Sequence, residues 1–219
     1  MKTWCFDLFD TLVQVRRDLS HEKDLIGVSL EEWAHIYLLP AFYTRRALGL
    51  VTEPIEICRE IIAAFGKRLD KAGEQEFLRR RVDAFRLGLM EIHPEIIETL
   101  QTLKSRGCKL CLVSNADAID VLHWPDSPLS PLFDHAIFSC RVGMLKPEPG
   151  IYRLAAQRMG VSPADCVFVG DGGSDELAGA KNVGMRTIQV RHIARRIVTG
   201  ADFIADNFRD ILSFTGEHA

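Results

Sequence analysis

Residues 4–12 read WCFDLFDTL, an apolar run that ends at Asp7, with Thr11 four residues later. Such a run predicts a buried strand that delivers a carboxylate to a turn. An aspartate in that place is most often a solvated turn residue; otherwise it is a nucleophile or a metal ligand at the edge of a sheet. The rest of the chain decides between these roles.

The composition bounds the class of protein. A chain of 219 residues that is 47% hydrophobic is long enough for a packed core with one modest accessory domain. Its 27 basic and 30 acidic residues give a net charge of -3, which lacks the broad basic field that nucleic-acid binding favours. Asp7 and Asp10 interrupt the first apolar run before a signal peptide or a membrane span can form. We therefore expect a cytoplasmic protein with neither a nucleic-acid nor a membrane partner.

The six cysteines are too sparse for the disulfide framework of a small secreted domain, which favours reduced thiols. Cys108 and Cys111 have the spacing of redox and zinc sites, but they lie in a stretch that reads as a buried strand. Residues three apart in a strand point to opposite faces. Two small packing residues are therefore favoured over a redox or metal site.

A helical block follows the first strand, from about residue 16 to about residue 91. Its apolar residues recur at helical spacing, and capping and breaking residues separate the helices. Three helices are predicted: Ser29 to Gly49, opened by a capping box at Ser29 and Glu32; a second capped by Thr52, with Pro54 in its first turn and Gly66 at its end; and about Glu74 to Leu87. The arginine runs at 16–17, 45–46 and 79–81 are expected to form solvated faces.

From Pro94 onward, helical and strand patterns alternate, which is typical of βαβ units and a parallel sheet. Short strands are predicted at 108–113, 136–138, 166–169 and 186–190, and the proline-rich stretch 124–131 is predicted to be a loop. The first strand belongs with them. The fold class is therefore α/β, with a Rossmann-like parallel-sheet core formed by residues 1–15 and 92–219 and an all-helical domain, 16–91, inserted after the first strand.

Polar residues follow these strands, at the edge where open α/β sheets bind ligands. They are Asp7 after the first strand, Ser114 and Asn115 after the second, Lys146 in a loop after the third, and Asp171 and Asp175 after the fourth. One site that combines three carboxylates, a hydroxyl or amide and a lysine suits both a hard divalent cation and an anion.

In this order and spacing, the four patches resemble the four motifs of the haloacid dehalogenase superfamily of hydrolases. Phe6 to Leu12 resembles motif one, Leu112 to Asn115 motif two, Lys146 to Pro149 motif three, and Gly170 to Asp175, followed by Gly179-Ala180, motif four. The resemblance covers nearly the whole chain. It implies a Rossmann-like core covered by a helical cap that closes on the substrate.

The resemblance further implies a Mg²⁺-dependent phosphatase that acts on a small phosphorylated metabolite. Asp7 would attack phosphorus and form an aspartyl-phosphate, and Lys146 would supply fixed positive charge. Mg²⁺ would be held by the Asp7 carboxylate, the Phe9 carbonyl and Asp171, with Asp175 ligating it or orienting a bound water. Ser114, Asn115 and the backbone N–H groups of Leu8 and Phe9 would donate hydrogen bonds to the phosphoryl oxygens.

Phe9 departs from the phosphatase pattern, which has a second aspartate at that position to protonate the leaving group. Acid–base help of this kind typically contributes a factor of about 10² to 10⁴. Asp10 would take over only if the turn rotates it into the site, and a carboxylate from the helical block is the other candidate.

Two alternatives follow from Phe9. A 2-haloacid dehalogenase uses the same Asp nucleophile and often carries an aromatic residue at this position, but it needs no metal, and Asp171 and Asp175 would repel its carboxylate substrate. A non-catalytic member that binds a phosphorylated ligand is the other alternative. Three matched charges at Asp7, Lys146 and Asp171 favour an enzyme.

Overall fold

The computed structural model describes residues 2–14, 21–37 and 39–214. Its centre is a sheet of six parallel strands in the order β3-β2-β1-β4-β5-β6. The strands are β1 Thr3–Phe6, β2 Lys109–Ser114, β3 His135–Phe138, β4 Cys166–Gly170, β5 Arg186–Val190 and β6 Phe203–Ala205. The predicted α/β class with a Rossmann-like core is confirmed.

The strand order places a topological switch point beside β1. Going out from β1 in one direction the chain runs to β2 and β3, and in the other direction it runs to β4, β5 and β6. Ligands of open α/β sheets bind in the crevice outside the carboxyl ends of the strands at such a point. Asp7 and Asp171 follow β1 and β4 directly, so both lie at this crevice.

Helices cover both faces of the sheet, because alternate residues of each buried strand point to opposite sides. These helices are α6 Pro94–Ser105, the short α7 Ser139–Val142, α8 Pro149–Met159 and α9 Glu176–Asn182. On one face of the sheet, Trp4 and Phe6 of β1 pack with α6; on the other face, Cys5 packs with α8 and α9.

Between β1 and α6 the described chain is helical. We call α1–α5 the inserted helices: α1 Glu22–Leu25, α2 Leu30–Tyr37, α3 Pro40–Ala47, α4 Pro54–Ala64 and α5 Lys71–Met90. They share a core of their own, in which Ile57 and Ile61 of α4 pack with Phe77 of α5. The division into domains at residues 15/16 and 91/92 stays a prediction, and its first boundary lies outside the described residues, as do Arg16 and Arg17.

Two details of the inserted helices differ from the prediction. The single helix expected from Ser29 to Gly49 is two, because Pro40 has no N–H to continue α2 and instead begins α3. Thr52 is not the cap of α4, which begins after Glu53. The capping box is confirmed: the Ser29 N–H donates to Glu32 Oε2 at 2.8 Å, and the Glu32 N–H donates to Ser29 Oγ at 3.1 Å. Helix α5 is longer than predicted, since Asp70 caps it by accepting a bond from the Gly73 N–H.

The remaining differences are small. Strand β6, only three residues long, was not predicted, and the loop 124–131 contains two short 3₁₀ turns. All six cysteines lie in the described part of the chain and are free thiols. Cys108 and Cys111 pack on opposite faces of the sheet, as their spacing predicts.

Within residues 2–14, 21–37 and 39–214, we find no helix with the length and apolar character needed to cross a membrane. The longest, α5, carries charged residues along its length, including Arg79, Arg80 and Arg81.

Candidate active site

Three buried carboxylates meet at the carboxyl ends of β1 and β4. Asp7, Asp171 and Glu176 each offer one oxygen, and these oxygens all lie within 4.8 Å of one another. Asp7 comes from the turn after β1, Asp171 from the turn after β4, and Glu176 from the first residue of α9. We call these three residues the carboxylate cluster.

Lys146 is the cation at the centre of this cluster. Its buried Nζ contacts Asp7 Oδ1 and lies 2.6 Å from Glu176 Oε2. Lys146 thus pairs with two of the three carboxyl groups and Arg196 contacts the third, so the ionised cluster carries more negative than positive charge. Ion pairs this deeply buried are stable only when each charge is matched.

Burial and the neighbouring charges shift the pKa values of the cluster. Burial raises the pKa of Asp7 above its ordinary value, against the opposing effect of Lys146. Burial and the Asp7 carboxylate together raise the pKa of Glu176 to about 8. Burial alone would lower the pKa of Lys146, but Asp7 and Glu176 outweigh it and raise that pKa, which keeps the ammonium charged.

Backbone contacts fix the two aspartates. The Asp7 N–H donates to the carbonyl of Val169 in β4 at 2.9 Å, and the Asp171 N–H donates to Thr11 Oγ1 at 3.0 Å. The turn after β1 is thus joined to the end of β4 on both sides. Asp7 and Asp171 therefore keep their relative positions without relying on side-chain contacts between two like charges.

Glycines make room for Glu176. A Cβ at Gly170 would lie 2.0 Å from Glu176 Oε1, and the Gly172 N–H donates to that same oxygen at 3.1 Å. One turn further along α9, a Cβ at Gly179 would lie 2.6 Å from the Pro147 carbonyl. These close approaches explain why the turn after β4 and the first part of α9 are rich in glycine.

Glu176 was missed by the sequence reasoning, which chose Asp175. Ser174 and Asp175 adopt left-handed backbone conformations, with φ of 54° and 50°, and this extra turn leaves Asp175 exposed and brings Glu176 into the cluster. Asp175 lines the same cavity but does not join the cluster. The available signal was helical periodicity, since Glu176, Gly179 and Ala180 share the buried face of α9.

Asn115 holds the backbone of Lys146. Its Nδ2 donates to the Lys146 carbonyl at 2.9 Å, and its Oδ1 accepts from the Lys146 N–H at 2.8 Å. The side chain was predicted to contact phosphoryl oxygens, and in the structure it joins the end of β2 to the lysine loop. Asn115 is thus a positioning residue for the central cation.

Two other predicted phosphate ligands are buried. The Ser114 hydroxyl donates to the Asn115 carbonyl at 3.3 Å, and Ser114 is not among the residues that line the cavity. The Leu8 side chain is fully buried in the core, and its carbonyl accepts bonds from the N–H groups of Leu12 and Val13. The roles predicted for Ser114 and for the backbone of Leu8 and Phe9 stay predictions.

Phe9 and Asp10 share the turn that carries Asp7. The Phe9 ring packs edge-on against Phe85 of α5, with ring centroids 5.5 Å apart, so it joins this turn to the inserted helices. Asp10 has a left-handed φ of 61° and lines the same cavity as Asp7. Asp10 therefore lies at the cavity wall, and its role as the acid stays a prediction.

The carboxylate cluster opens into a cavity of about 630 Å³ between the sheet and the inserted helices. Its walls combine the acidic edge of the sheet with Leu39, Tyr43, Thr44 and Phe85 of the inserted helices and their connections. The volume fits a small metabolite.

Arg196 is the second basic residue that lines the cavity, and sequence reasoning missed it. It lies in the loop between β5 and β6; its Nε contacts Asp171 Oδ2, and its Nη2 lies 3.7 Å from Asp10 Oδ2. The hydrogen bond with Asp171 raises the pKa of the guanidinium above its already high value. Arg191 and Arg195 lie in the same loop, and nothing in the local sequence marks Arg196 as the one that makes such a contact.

Two arginines that were expected on solvated faces are buried, so that expectation was wrong for them. Arg46 of α3 and Arg81 of α5 are each 1% exposed and both lie 3.0 Å from Asp117 Oδ2. Arg81 also lies 2.6 Å from Asp120 Oδ1. Their partners follow β2, so the ion pairs join the inserted helices to the sheet; the neighbours Arg45, Arg79 and Arg80 do lie on solvated faces.

The comparison with protein families assigns the chain to a family. A family model of haloacid dehalogenase-like hydrolases matches residues 1–184, which is most of the chain. The chain belongs to the haloacid dehalogenase-like hydrolases and is a hydrolase of that family. The fold and the resemblance predicted from the four motifs are confirmed.

Curated relatives fall into several activities. The rat (Rattus norvegicus) protein "Bifunctional epoxide hydrolase 2" is 33% identical over 158 residues, 68% of this chain and 28% of its own length. "(S)-2-haloacid dehalogenase 4A" of Burkholderia cepacia is 26% identical over 87% of this chain and 83% of its own length. "Glyceraldehyde 3-phosphate phosphatase" of Methanopyrus kandleri is 33% identical over 45% of this chain and 43% of its own length. The chain spans only 22–28% of the mammalian epoxide hydrolases that it matches.

Solved structures share the fold. An L-2-haloacid dehalogenase aligns over 99% of both chains with a TM-score of 0.74 and 22% identity. A family enzyme of Bacteroides thetaiotaomicron, solved with magnesium and inorganic phosphate, aligns over 87% of this chain and 94% of its own with a TM-score of 0.68 and 19% identity. At these identities the likeness is evidence for the fold alone.

The buried ion pairs beside the cavity predict how stability depends on pH. Burial and the neighbouring Asp117 raise the pKa of Asp120 to about 7, above its ordinary value of 3.8. The folded protein thus holds a proton that the unfolded chain releases, so this contribution to stability is complete below pH 3.8 and is lost as the pH rises through about 7. In urea unfolding at pH 5 to 8, the stability of the wild type relative to Asp120→Asn should fall as the pH rises.

Asp134→Asn is the matched control. Burial opposes ionisation of Asp134, but the hydrogen bond from the Leu110 N–H and the nearby Lys104 outweigh it and lower the pKa of Asp134. This carboxyl group is ionised in both the folded and the unfolded chain from pH 5 to 8, so the cost of its substitution should not change over this range. A difference between wild type and Asp120→Asn that is constant over the same range would contradict the assignment.

Proposed function

We propose that this hydrolase is a Mg²⁺-dependent phosphatase that releases phosphate from a small phosphorylated metabolite through an aspartyl-phosphate at Asp7. The observation that carries the proposal is the carboxylate cluster: three buried carboxylates whose oxygens lie within 4.8 Å, against the two cations Lys146 and Arg196. A divalent cation at this point would offset the remaining negative charge. A substrate anion that approaches without one meets net repulsion.

The donor set suits a magnesium ion, because Mg²⁺ prefers oxygen ligands and is commonly held by one or two carboxylates plus substrate phosphate. Asp7 and Asp171 would hold it, with Glu176 ligating it or orienting a bound water. The Phe9 carbonyl stays a proposed ligand, and Glu176 takes the role that the sequence predicted for Asp175. When bound, the ion would neutralise the charge that builds up on the phosphoryl oxygens.

In the proposed reaction, Asp7 acts as the nucleophile. Its carboxylate oxygen attacks phosphorus, the bond from phosphorus to the leaving oxygen breaks, and the leaving group takes up a proton. Water then attacks phosphorus in the aspartyl-phosphate, releasing inorganic phosphate and the free carboxylate. Lys146 contacts Asp7 directly, so its charge faces the reacting oxygens throughout.

The proton of the leaving group needs a donor other than residue 9. Asp10 is the other carboxyl group of the turn that carries Asp7, and it lines the same cavity. We therefore propose Asp10 as the acid that replaces the missing aspartate. The Phe9 position instead packs on Phe85, which stabilises the turn against the inserted helices.

The cavity supports a small substrate. Its volume of about 630 Å³ and its mixed wall of aromatic and charged side chains suit a phosphorylated metabolite of modest size. A relative named for glyceraldehyde 3-phosphate supports the same chemistry.

One observation favours a second candidate, a 2-haloacid dehalogenase. Phe9 supplies no carboxylate, and the relative from Burkholderia cepacia that covers 87% of this chain is such an enzyme. In that reaction the Asp7 oxygen would attack the carbon that bears the halogen, and halide would leave. The surplus negative charge of the carboxylate cluster argues against a carboxylate substrate without a metal.

A phosphatase panel tests the proposal. With Mg²⁺, the purified protein should release phosphate from at least one ester or acyl phosphate in a broad panel, and a chelator should abolish the release. Asp7→Asn should lower turnover by at least about three orders of magnitude. Asp165→Asn, an exposed residue before β4 at the opposite end of the strand, is the control and should keep full activity.

Two results of the same panel would contradict the proposed phosphatase. Halide release from a 2-haloacid in the presence of chelator, with no phosphate release under any condition, would establish the dehalogenase instead. Silence towards every substrate would favour a non-catalytic member.

Two substitutions test whether Glu176 or Asp175 is the metal ligand. Glu176→Gln should weaken binding of Mn²⁺, used as a spectroscopic substitute for Mg²⁺, by about ten- to a hundredfold, because it removes a buried carboxylate from the cluster. Asp175→Asn, which changes an exposed carboxylate, should change the affinity by less than about twofold. The affinities can be measured from the electron paramagnetic resonance signal of free Mn²⁺. A larger effect from Asp175→Asn would make Asp175 the ligand.

A further inference from the structure

The charges that line the cavity are strongly unequal. Among the described residues that line it, two are basic, Lys146 and Arg196. Seven are acidic: Asp7, Asp10, Asp120, Glu148, Asp171, Asp175 and Glu176. Lys146 contacts Asp7 and Glu176, and Arg196 contacts Asp171. The third member of the carboxylate cluster therefore takes its counter-charge from a loop outside the four motifs.

The backbone of this loop is fastened beside Asp171. Buried Gln189 of β5 uses its Nε2 to donate to the carbonyl of Asp171 at 3.2 Å and to the carbonyl of Arg196 at 2.9 Å. Val198 packs against the turn after β4, where a Cβ at Gly172 would lie 2.3 Å from Val198 Cγ2. The backbone at Arg196 is thus held at a fixed distance from Asp171.

The Arg196 side chain is far less constrained. It is 49% exposed, whereas the Asp171 side chain that it contacts is 4% exposed. A guanidinium on a long side chain can leave a carboxylate and enter solvent at small cost, because a half-exposed ion pair contributes little net free energy. A divalent cation at the same carboxylate attracts it with twice the charge.

We propose that Arg196 is the resident counter-ion of Asp171, that a divalent metal ion and the guanidinium compete for this carboxylate, and that metal binding releases Arg196 to attract the anionic substrate. This inference rests on the proposed metal-dependent function. Arg196 acts as a positioning residue that keeps the buried carboxylate neutralised until the metal arrives. Its positive charge then stays at the mouth of an otherwise acidic cavity.

Metal affinity tests the exchange without any turnover. Titration of Mn²⁺, followed by the paramagnetic resonance signal of the free ion, should give a dissociation constant about three- to tenfold lower for Arg196→Gln than for the wild type. Arg196→Lys, which keeps the charge, should lie nearer to the wild type. Gln189→Met, which frees the loop backbone, should shift the affinity in the same direction as Arg196→Gln.

Arg195→Gln is the matched control for the general effect of removing one positive charge. Arg195 is adjacent in sequence and exposed, and it does not line the cavity. Its substitution should change Mn²⁺ affinity by less than about 1.5-fold. Unchanged or weaker Mn²⁺ binding in Arg196→Gln, or an equal gain in Arg195→Gln, would overturn the exchange.

Inorganic phosphate tests the release of the guanidinium. At saturating Mg²⁺, calorimetric titration of phosphate should show weaker binding to Arg196→Gln than to the wild type, a change opposite in sign to the effect on the metal. Equal phosphate affinities would overturn the released arginine as an anion-binding group. Absence of Mn²⁺ binding to the wild type would instead refute the proposed metal-dependent function, so the two failures are distinguishable.

Discussion

The structure depends on how it balances the buried negative charge at the carboxyl ends of β1 and β4. Parallel strands that carry Asp7 and Asp171 are neighbours in the sheet, so the two carboxylates are forced together, and Glu176 joins them from α9. Buried like charges are tolerated only with matching cations. Lys146, the hydrogen bonds between the Asn115 side chain and the Lys146 backbone, and the loop with Arg196 all serve this balance.

A second set of buried charges joins the inserted helices to the sheet. Arg46 and Arg81 come from α3 and α5. Their partners Asp117 and Asp120 lie on the loop that follows β2. Asp120 also lines the cavity. The same loop therefore begins at the residue that positions Lys146 and ends at the ion pairs that hold the helices above the site.

Much of the fold was readable because short apolar runs and glycines mark the ends of strands and helices. The parallel sheet was predicted correctly, and the predicted residues Asp7, Asn115, Lys146 and Asp171 line one cavity in the structure, while their roles stay predictions. Glu176 was displaced by one position, because two left-handed residues before α9 add a turn that residue types do not reveal. Burial of Arg46 and Arg81 and the contact of Arg196 depend on tertiary packing between distant segments, which local patterns do not encode.

The proposed function requires that Asp7 accepts a phosphoryl group with the help of a metal ion at the carboxylate cluster. The most direct measurement is mass spectrometry of the Asp7 peptide after acid quenching of the protein with acetyl phosphate and Mg²⁺. We expect an adduct on this peptide with the mass of one phosphoryl group, present with Mg²⁺ and absent with chelator or in Asp7→Asn. No adduct on Asp7 under any metal condition, together with a carboxyalkyl ester on Asp7 after incubation with a 2-haloacid, would contradict it.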